Sequence, residues 1–221
     1  MVLRRDHRGR SRAERLGRLR HHEGCGRLTT SSDVDLAALG SLSSRLAGVL
    51  GTIEDRHWAM ATPCADWDFV ALVDHVTGGN WFTSQILDGR SAEDAMNNTI
   101  ELFGDTNATK EQAVSSVSGQ LSAFRQAGAL ERTCHHAAGD LTGRQVLRLR
   151  LHDLIVHSWD IDHTLDPPAS IPTDLVRWGL DELADNDSLT SKHFDLATVP
   201  IPEGADDDED AEAAYLRCFG R

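Results

Sequence analysis

The sequence predicts an all-α protein, a four-helix bundle followed by a short C-terminal tail that is part helical and part extended. Three observations carry this prediction. Apolar residues recur at intervals of three and four along four segments, each of the length usual for bundle helices, about 18 to 24 residues. Two of these segments open on a Thr-x-x-Gln capping box, a sequence mark of a helix start. The last of them runs into Pro167-Pro168, which cannot continue a helix.

The elements follow in chain order. Over residues 33–50, Leu36, Leu39, Leu42, Leu46 and Leu50 form one apolar stripe behind a Ser/Asp start. The stretch Ala61-Thr62-Pro63-Cys64-Ala65 reads as a turn, with Asp66 expected to cap the next helix. That second helix, residues 67–87, places Leu72, His75, Gly79, Phe82 and Ile86 on one face. Its Gly78-Gly79 pair weakens an isolated helix by about 1 kcal/mol per glycine, but in a bundle lets a backbone or ligand come close. A third helix opens at the box Thr109-x-x-Gln112 and carries Val114, Val117, Leu121 and Phe124. The bundle is expected to contain one longer crossover. Residues 131–141, with Gly139, read as a loop or short hairpin. The box Thr142-x-x-Gln145 opens the fourth helix, residues 144–165. Beyond the prolines, residues 173–185 form an amphipathic helix with Leu175, Val176, Leu180 and Leu183. Val199-Pro200-Ile201-Pro202 is expected to be extended, and residues 206–221 to form a short final helix. The acidic run Asp206 to Asp210 sits where a helix dipole favours negative charge and lacks the spacing of a calcium loop.

The expected organisation is a basic, disordered arm over residues 1–30, the bundle over 31–168, and an extension over 169–221 that packs on it. Charge supports that division. Residues 1–28 hold nine arginines against Asp6, Glu14 and Glu23, a net of +6 within an overall charge of −13, so the rest carries −19. An acidic body repels phosphate backbones, and nucleic-acid binding would rest on the arm alone. The arm reads either as a basic nucleic-acid or membrane tail or, preferably, as a disordered leader. No run of apolar residues reaches the 18 or so that a membrane span needs. The N-terminus lacks an apolar signal core, and Cys25, Cys64, Cys134 and Cys218 lie far apart with no C-x-x-C pair. The expectation is a reduced, cytoplasmic protein.

The chemistry concentrates on the fourth helix, in Arg150-Leu151-His152-Asp153-Leu154-Ile155-Val156-His157-Ser158-Trp159-Asp160. Asp153 and His157 stand four apart and leave the same face, which Val146 and Leu149 mark as inward. His75 lies on the inward stripe of the second helix. Two histidines and a carboxylate on facing helices are how bundles build metal sites. Imidazole and carboxylate suit zinc, and equally iron(II), nickel or manganese, and three protein ligands leave a coordination position open. The alternative is a metal-free core in which Asp153 merely orients His157. His152 and His163 fall off the stripe, and His135-His136 read as exposed loop residues. Asp160, one turn beyond His157, either holds that ring's tautomer or is a surface acid. Cys64 has no neighbouring histidine and reads as a packed residue.

Three pieces occur together and in order: Thr62-Pro63-Cys64-x-x-Trp67-Asp68, then Leu72-Val73-Asp74-His75-Val76-x-Gly78-Gly79-Asn80, then Asp153-Leu154-x-Val156-His157-x-Trp159-Asp160. The set resembles the actinobacterial DinB-like metal-binding proteins related to mycothiol-dependent maleylpyruvate isomerase, over about residues 33–221. The resemblance implies a DinB-like four-helix bundle and a divalent metal, commonly zinc, held by His75, Asp153 and His157. The isomerase looks to have glutamate where this chain has Asp153, and a larger C-terminal domain where this chain has a short tail. The resemblance further implies mycothiol as a thiol cofactor and a small electrophilic substrate. Gly78-Gly79 would leave room for them, and Asn80 and Trp81 would line the pocket. Two other readings stand beside this one: a non-catalytic metal-binding sensor or partner-binding module, and a metal-free helical protein whose acidic face docks a basic partner. The sequence leaves the oligomeric state open.

Overall fold

A computed structural model describes residues 31–65, 67–165, 169–184, 192–193 and 208–221. The basic arm, the Asp66 cap, the Pro167-Pro168 stop and the extended Val199–Pro202 stretch, all expected from the sequence, lie outside the described residues. Four long helices, α1 (Ser31–Gly51), α2 (Phe69–Leu87), α4 (Lys110–Phe124) and α5 (Gly143–Thr164), form the expected bundle. The rest comprises α3 (Ala92–Phe103), a hairpin β1 (Thr133–His136) and β2 (Gly139–Thr142), α6 (Thr173–Leu183) and α7 (Asp208–Cys218), with a 3-10 turn over Asp55–Ala59. Around the bundle, α1 packs against α4 and α5, and α2 packs against the same two helices. The ring order α1-α4-α2-α5 therefore sets α2 beside α5, although α3, α4 and the hairpin separate them in sequence.

Local chemistry accounts for most helix boundaries. Both expected capping boxes form: Thr109 and Gln112 start α4, and Thr142 and Gln145 start α5. The cap of α2 is Asp68, which accepts from the Ala71 amide at 2.9 Å, so α2 begins two residues later than the sequence suggested. The leucine stripe of α1, Leu39, Leu42, Leu46 and Leu50, is buried in one continuous core that also holds Leu72, Val117, Phe124 and Leu147.

One helix was not expected. The crossover before α4 contains α3, capped by Ser91, whose hydroxyl accepts from the Asp94 amide at 3.0 Å. Its period was illegible because Met96, Ile100 and Leu102 are exposed, while Ala95 and Thr99 form its buried face. Residues 131–141 resolve into the hairpin alternative, with Cys134 opposite Leu141 and Gly139 at φ 110° in the turn.

Helix α5 is buried almost all round. Its inward face meets α1 and α2, and its outer face is covered by the tail, where α6 and α7 pack on each other. Tyr215 of α7 is fully buried and sits over Gly179 of α6, where a Cβ would come within 2.4 Å of the ring. The Tyr215 hydroxyl meets Nδ1 of His152 at 2.8 Å, and Glu212 accepts from Trp159 Nε1 and from the Ile171 amide. His152 is thus off the bundle stripe, as expected, yet still inside the protein.

Burial pushes the His152 pKa from 6.5 down to about 3, with Arg148 adding to the effect. Because the folded value lies below the unfolded one, neutral His152 stabilises the fold above pH 6.5. That contribution is lost as pH falls from 6.5 towards 3. Denaturant unfolding of the wild type should therefore show stability falling on acidification more steeply than in His152→Asn.

Candidate metal centre

Helix α2 contributes His75 and α5 contributes Asp153 and His157. One ligand-type atom from each lies within 4.8 Å of the others. His75 Nε2 stands 3.2 Å, and His157 Nε2 3.5 Å, from the same Asp153 oxygen, Oδ1. The two imidazoles meet edge to face at 4.8 Å between centroids. Trp67, just before α2, lies over both rings, 4.4 Å from His75 and 5.2 Å from His157. The spacing argument thus places its three residues correctly relative to one another, because a difference of four on α5 and the adjacency of α2 and α5 bring them to a common point.

The sides of the cluster differ. His157 is nearly buried, whereas the His75 side chain is 36 % exposed and borders a cavity of about 170 Å³. Phe82, Val146 and Leu149 give that cavity apolar walls, and Thr83, His136 and His193 add polar groups. His136 is half-buried in β1 and its ring stands 5.8 Å from Phe82. It is therefore not the exposed loop residue expected, because the hairpin register alternates faces and turns His136 inward and His135 outward. Burial, and then the neighbouring His193, hold the His136 pKa below its ordinary value.

Behind the cluster lies a layer of charged groups. Asp160 is fully buried and its Oδ2 meets Nδ1 of His157 at 2.9 Å. A carboxylate only accepts, so in the neutral ring Nδ1 carries the proton and Nε2 keeps its lone pair towards Asp153. Arg221 grips Asp160 with both arms of its guanidinium, Nε to Oδ1 at 2.7 Å and a terminal nitrogen to Oδ2 at 2.8 Å. The surface-acid reading of Asp160 is therefore wrong. No sequence signal pointed to Arg221, which stands 61 positions from Asp160.

Arg150 is the second residue the sequence reading missed. It is 7 % exposed and pairs with Asp153 Oδ2. It also donates to the Val76 carbonyl and to Asn80 Oδ1, each at 2.9 Å. Its spacing of three from Asp153, on one face of a helix, was the available clue. Asn80 and Trp81, expected to line a cofactor pocket, are placed otherwise. Asn80 is buried between α2 and α4, donating to Ser116 at 2.9 Å and accepting from Gln120 at 2.6 Å. Trp81 turns towards Phe103 of α3, 5.1 Å away. Both glycines are closely packed, since a Cβ on Gly78 would meet Phe103 and one on Gly79 would meet Arg150, and Gly79 also borders the cavity. Cys64 is buried, as expected of a packed residue.

Residues 39–162 match the profile of the Mycothiol maleylpyruvate isomerase N-terminal domain. The chain belongs to this family. His75, Arg150, Asp153, His157 and Asp160 all fall inside the matched span, and Arg221 falls outside it. Two uncharacterised proteins of Mycobacterium tuberculosis, from strains CDC 1551 / Oshkosh and H37Rv, are each 28% identical over 115 residues. That overlap is 52% of this chain, and the chain spans 58% of the length of these relatives. Two crystal structures are similar in fold: mycothiol-dependent maleylpyruvate isomerase and a point mutant of it. Each aligns with a TM-score of 0.55 over 70% of both chains, at 17% and 16% identity. The DinB-like helical architecture of this family member is thereby established. No helix among the described residues is long and apolar enough to cross a membrane.

The charges in this family member's cluster reinforce one another. Burial disfavours ionised Asp153, but Arg150 and the two imidazoles outweigh it and hold its pKa well below the usual carboxylate range. Burial likewise opposes charge on His157, yet hydrogen bonds to Asp153 and Asp160 outweigh it and raise its pKa above 6.5. A raised folded value means that protonated His157 adds stability below pH 6.5, lost as pH rises through the folded pKa. In metal-free protein, NMR titration should find His157 titrating above 6.5, and Asp160→Asn should bring it back down.

Proposed function

We propose that this chain is a thiol-dependent metalloprotein of the mycothiol family, with His75, Asp153 and His157 holding a divalent metal, zinc being the expected ion. The supporting observation is the convergence of three donor atoms within 4.8 Å, one imidazole pinned from behind, beside a cavity. The donor set fits: two neutral imidazoles and one carboxylate leave a reactive rather than a structural coordination number. An ion held there would act as a Lewis acid with a free position, able to deprotonate a coordinating thiol. Family membership supports mycothiol as that thiol, and a small electrophile as its reaction partner.

The remaining work falls to the protein's own side chains. Asp160, braced by Arg221, fixes the His157 ring so that Nε2 faces the cluster. Trp67 covers both rings on one side and limits water there. Phe82 and Leu149 offer an electrophile an apolar wall beside the exposed edge of His75. The reaction class is attack of the thiol sulfur on that electrophile, by addition to an activated double bond or by displacement, as in an isomerase or S-transferase.

Metal analysis of purified wild type should find a divalent ion, and His75→Ala or His157→Ala should lose it. Asp160→Asn keeps every ligand but frees the His157 ring, and should weaken metal binding roughly 10- to 100-fold. Calorimetry with mycothiol should show binding to metal-loaded protein that is lost after chelation. A wild type without metal overturns the proposal. Metal without thiol affinity would favour the non-catalytic metal-binding module instead.

A further inference from the structure

The placement of Arg150 is costly in a way that stability alone does not explain. Its guanidinium is buried, and Nε has no hydrogen-bond partner among the described residues. A buried ion pair contributes little net stability, and apolar side chains of similar volume commonly do better. Yet five positions on two other elements are arranged around this one cation. Gly79 makes space for it: a Cβ there would fall 2.6 to 2.8 Å from three guanidinium atoms. Asn80 and the Val76 carbonyl accept from it, and Gln120 of α4 holds the Asn80 amide so that its oxygen points at Arg150. Ser116 accepts from the other end of the same amide.

All of this apparatus aims one guanidinium nitrogen at one oxygen, Oδ2 of Asp153. The other oxygen, Oδ1, is the one that faces His75 Nε2 and His157 Nε2, at 3.2 and 3.5 Å. The two oxygens of Asp153 are therefore already assigned to different partners. We propose that Arg150 is a positioning residue that makes Asp153 a one-oxygen ligand, reserving Oδ2 for itself and so keeping part of the metal's coordination sphere free for an exogenous donor. This inference rests on the metal reading above and deepens it. It also gives Gly79 and Asn80 a role, which is to seat Arg150.

Cobalt(II) is the probe, because its visible absorption is intense when four-coordinate and weak when the coordination number rises. Loaded wild type should show the intense spectrum. Arg150→Met removes the charge at similar length and releases Oδ2, so the absorption should drop and X-ray absorption should count an added oxygen. Affinity of the cobalt protein for 2-mercaptoethanol should fall roughly tenfold or more. Arg150→Lys, which restores one donor to Oδ2, should recover part of the wild-type spectrum, as a packing role would not require. Gly79→Ala alters no charge and does not touch Asp153, but displaces the guanidinium. It should shift the spectrum as Arg150→Met does, and it carries the test if Arg150→Met fails to fold. If the wild type binds no cobalt, the metal reading itself fails. If it binds cobalt and the folded variants keep its spectrum and thiol affinity, the role given to Arg150 is overturned.

Discussion

Asp153 carries a negative charge inside a bundle of apolar helices, and much of the architecture follows from compensating it. An isolated carboxylate so placed would instead take up a proton, because burial penalises the ionised form. Here Arg150 meets one oxygen and two imidazoles meet the other, and the result is a carboxylate ionised well below its usual range. That compensation draws on residues from α2, α4 and α5. Asn80, Ser116 and Gln120 form the polar seam that carries the charge of Arg150 between helices otherwise joined by leucine, valine and phenylalanine. Buried polar networks of this kind are stable only when nearly every member is satisfied.

A second acid repeats the arrangement about two turns further along. Asp160 sits between His157 and Arg221, and its pKa is depressed although burial opposes this, because His157 and Arg221 both bond to it. The cluster therefore alternates carboxylates with nitrogen donors, from Arg150 through Asp153 and His157 to Asp160 and Arg221. Each group is held in place by the next, so the orientation of the His157 ring depends on the tail as well as on the bundle. In that respect the chain end after α7 belongs to the site through Arg221, although α7 packs on the face of α5 that points away from α2.

This dependence explains which parts of the site were legible in the sequence. His75, Asp153 and His157 could be picked out because helical periodicity reports which side chains share a face, and a spacing of four on α5 is a local fact. The capping boxes at Thr109 and Thr142 were legible for the same reason, since their hydrogen bonds span three residues. Helix α3 was not legible, because its large apolar residues face outward and small ones face the bundle. Asn80 and Trp81 looked like pocket residues because they follow the Gly78-Gly79 pair beside His75. In a helix, however, consecutive residues point about 100° apart, and theirs are the directions of α4 and α3.

By itself, then, the sequence determined the helical class, the bundle, the starts of α4 and α5, and the helix faces that carry His75, Asp153 and His157, all of which rest on interactions between positions a few residues apart. Tertiary structure decided the rest. It determined which helices are neighbours, which acid oxygen Arg150 takes, that His136 faces the cavity, and that Arg221 closes on Asp160. Those outcomes depend on pairings between residues tens of positions apart, where side-chain reach and the order of packing, rather than any repeat in the chain, choose the partner.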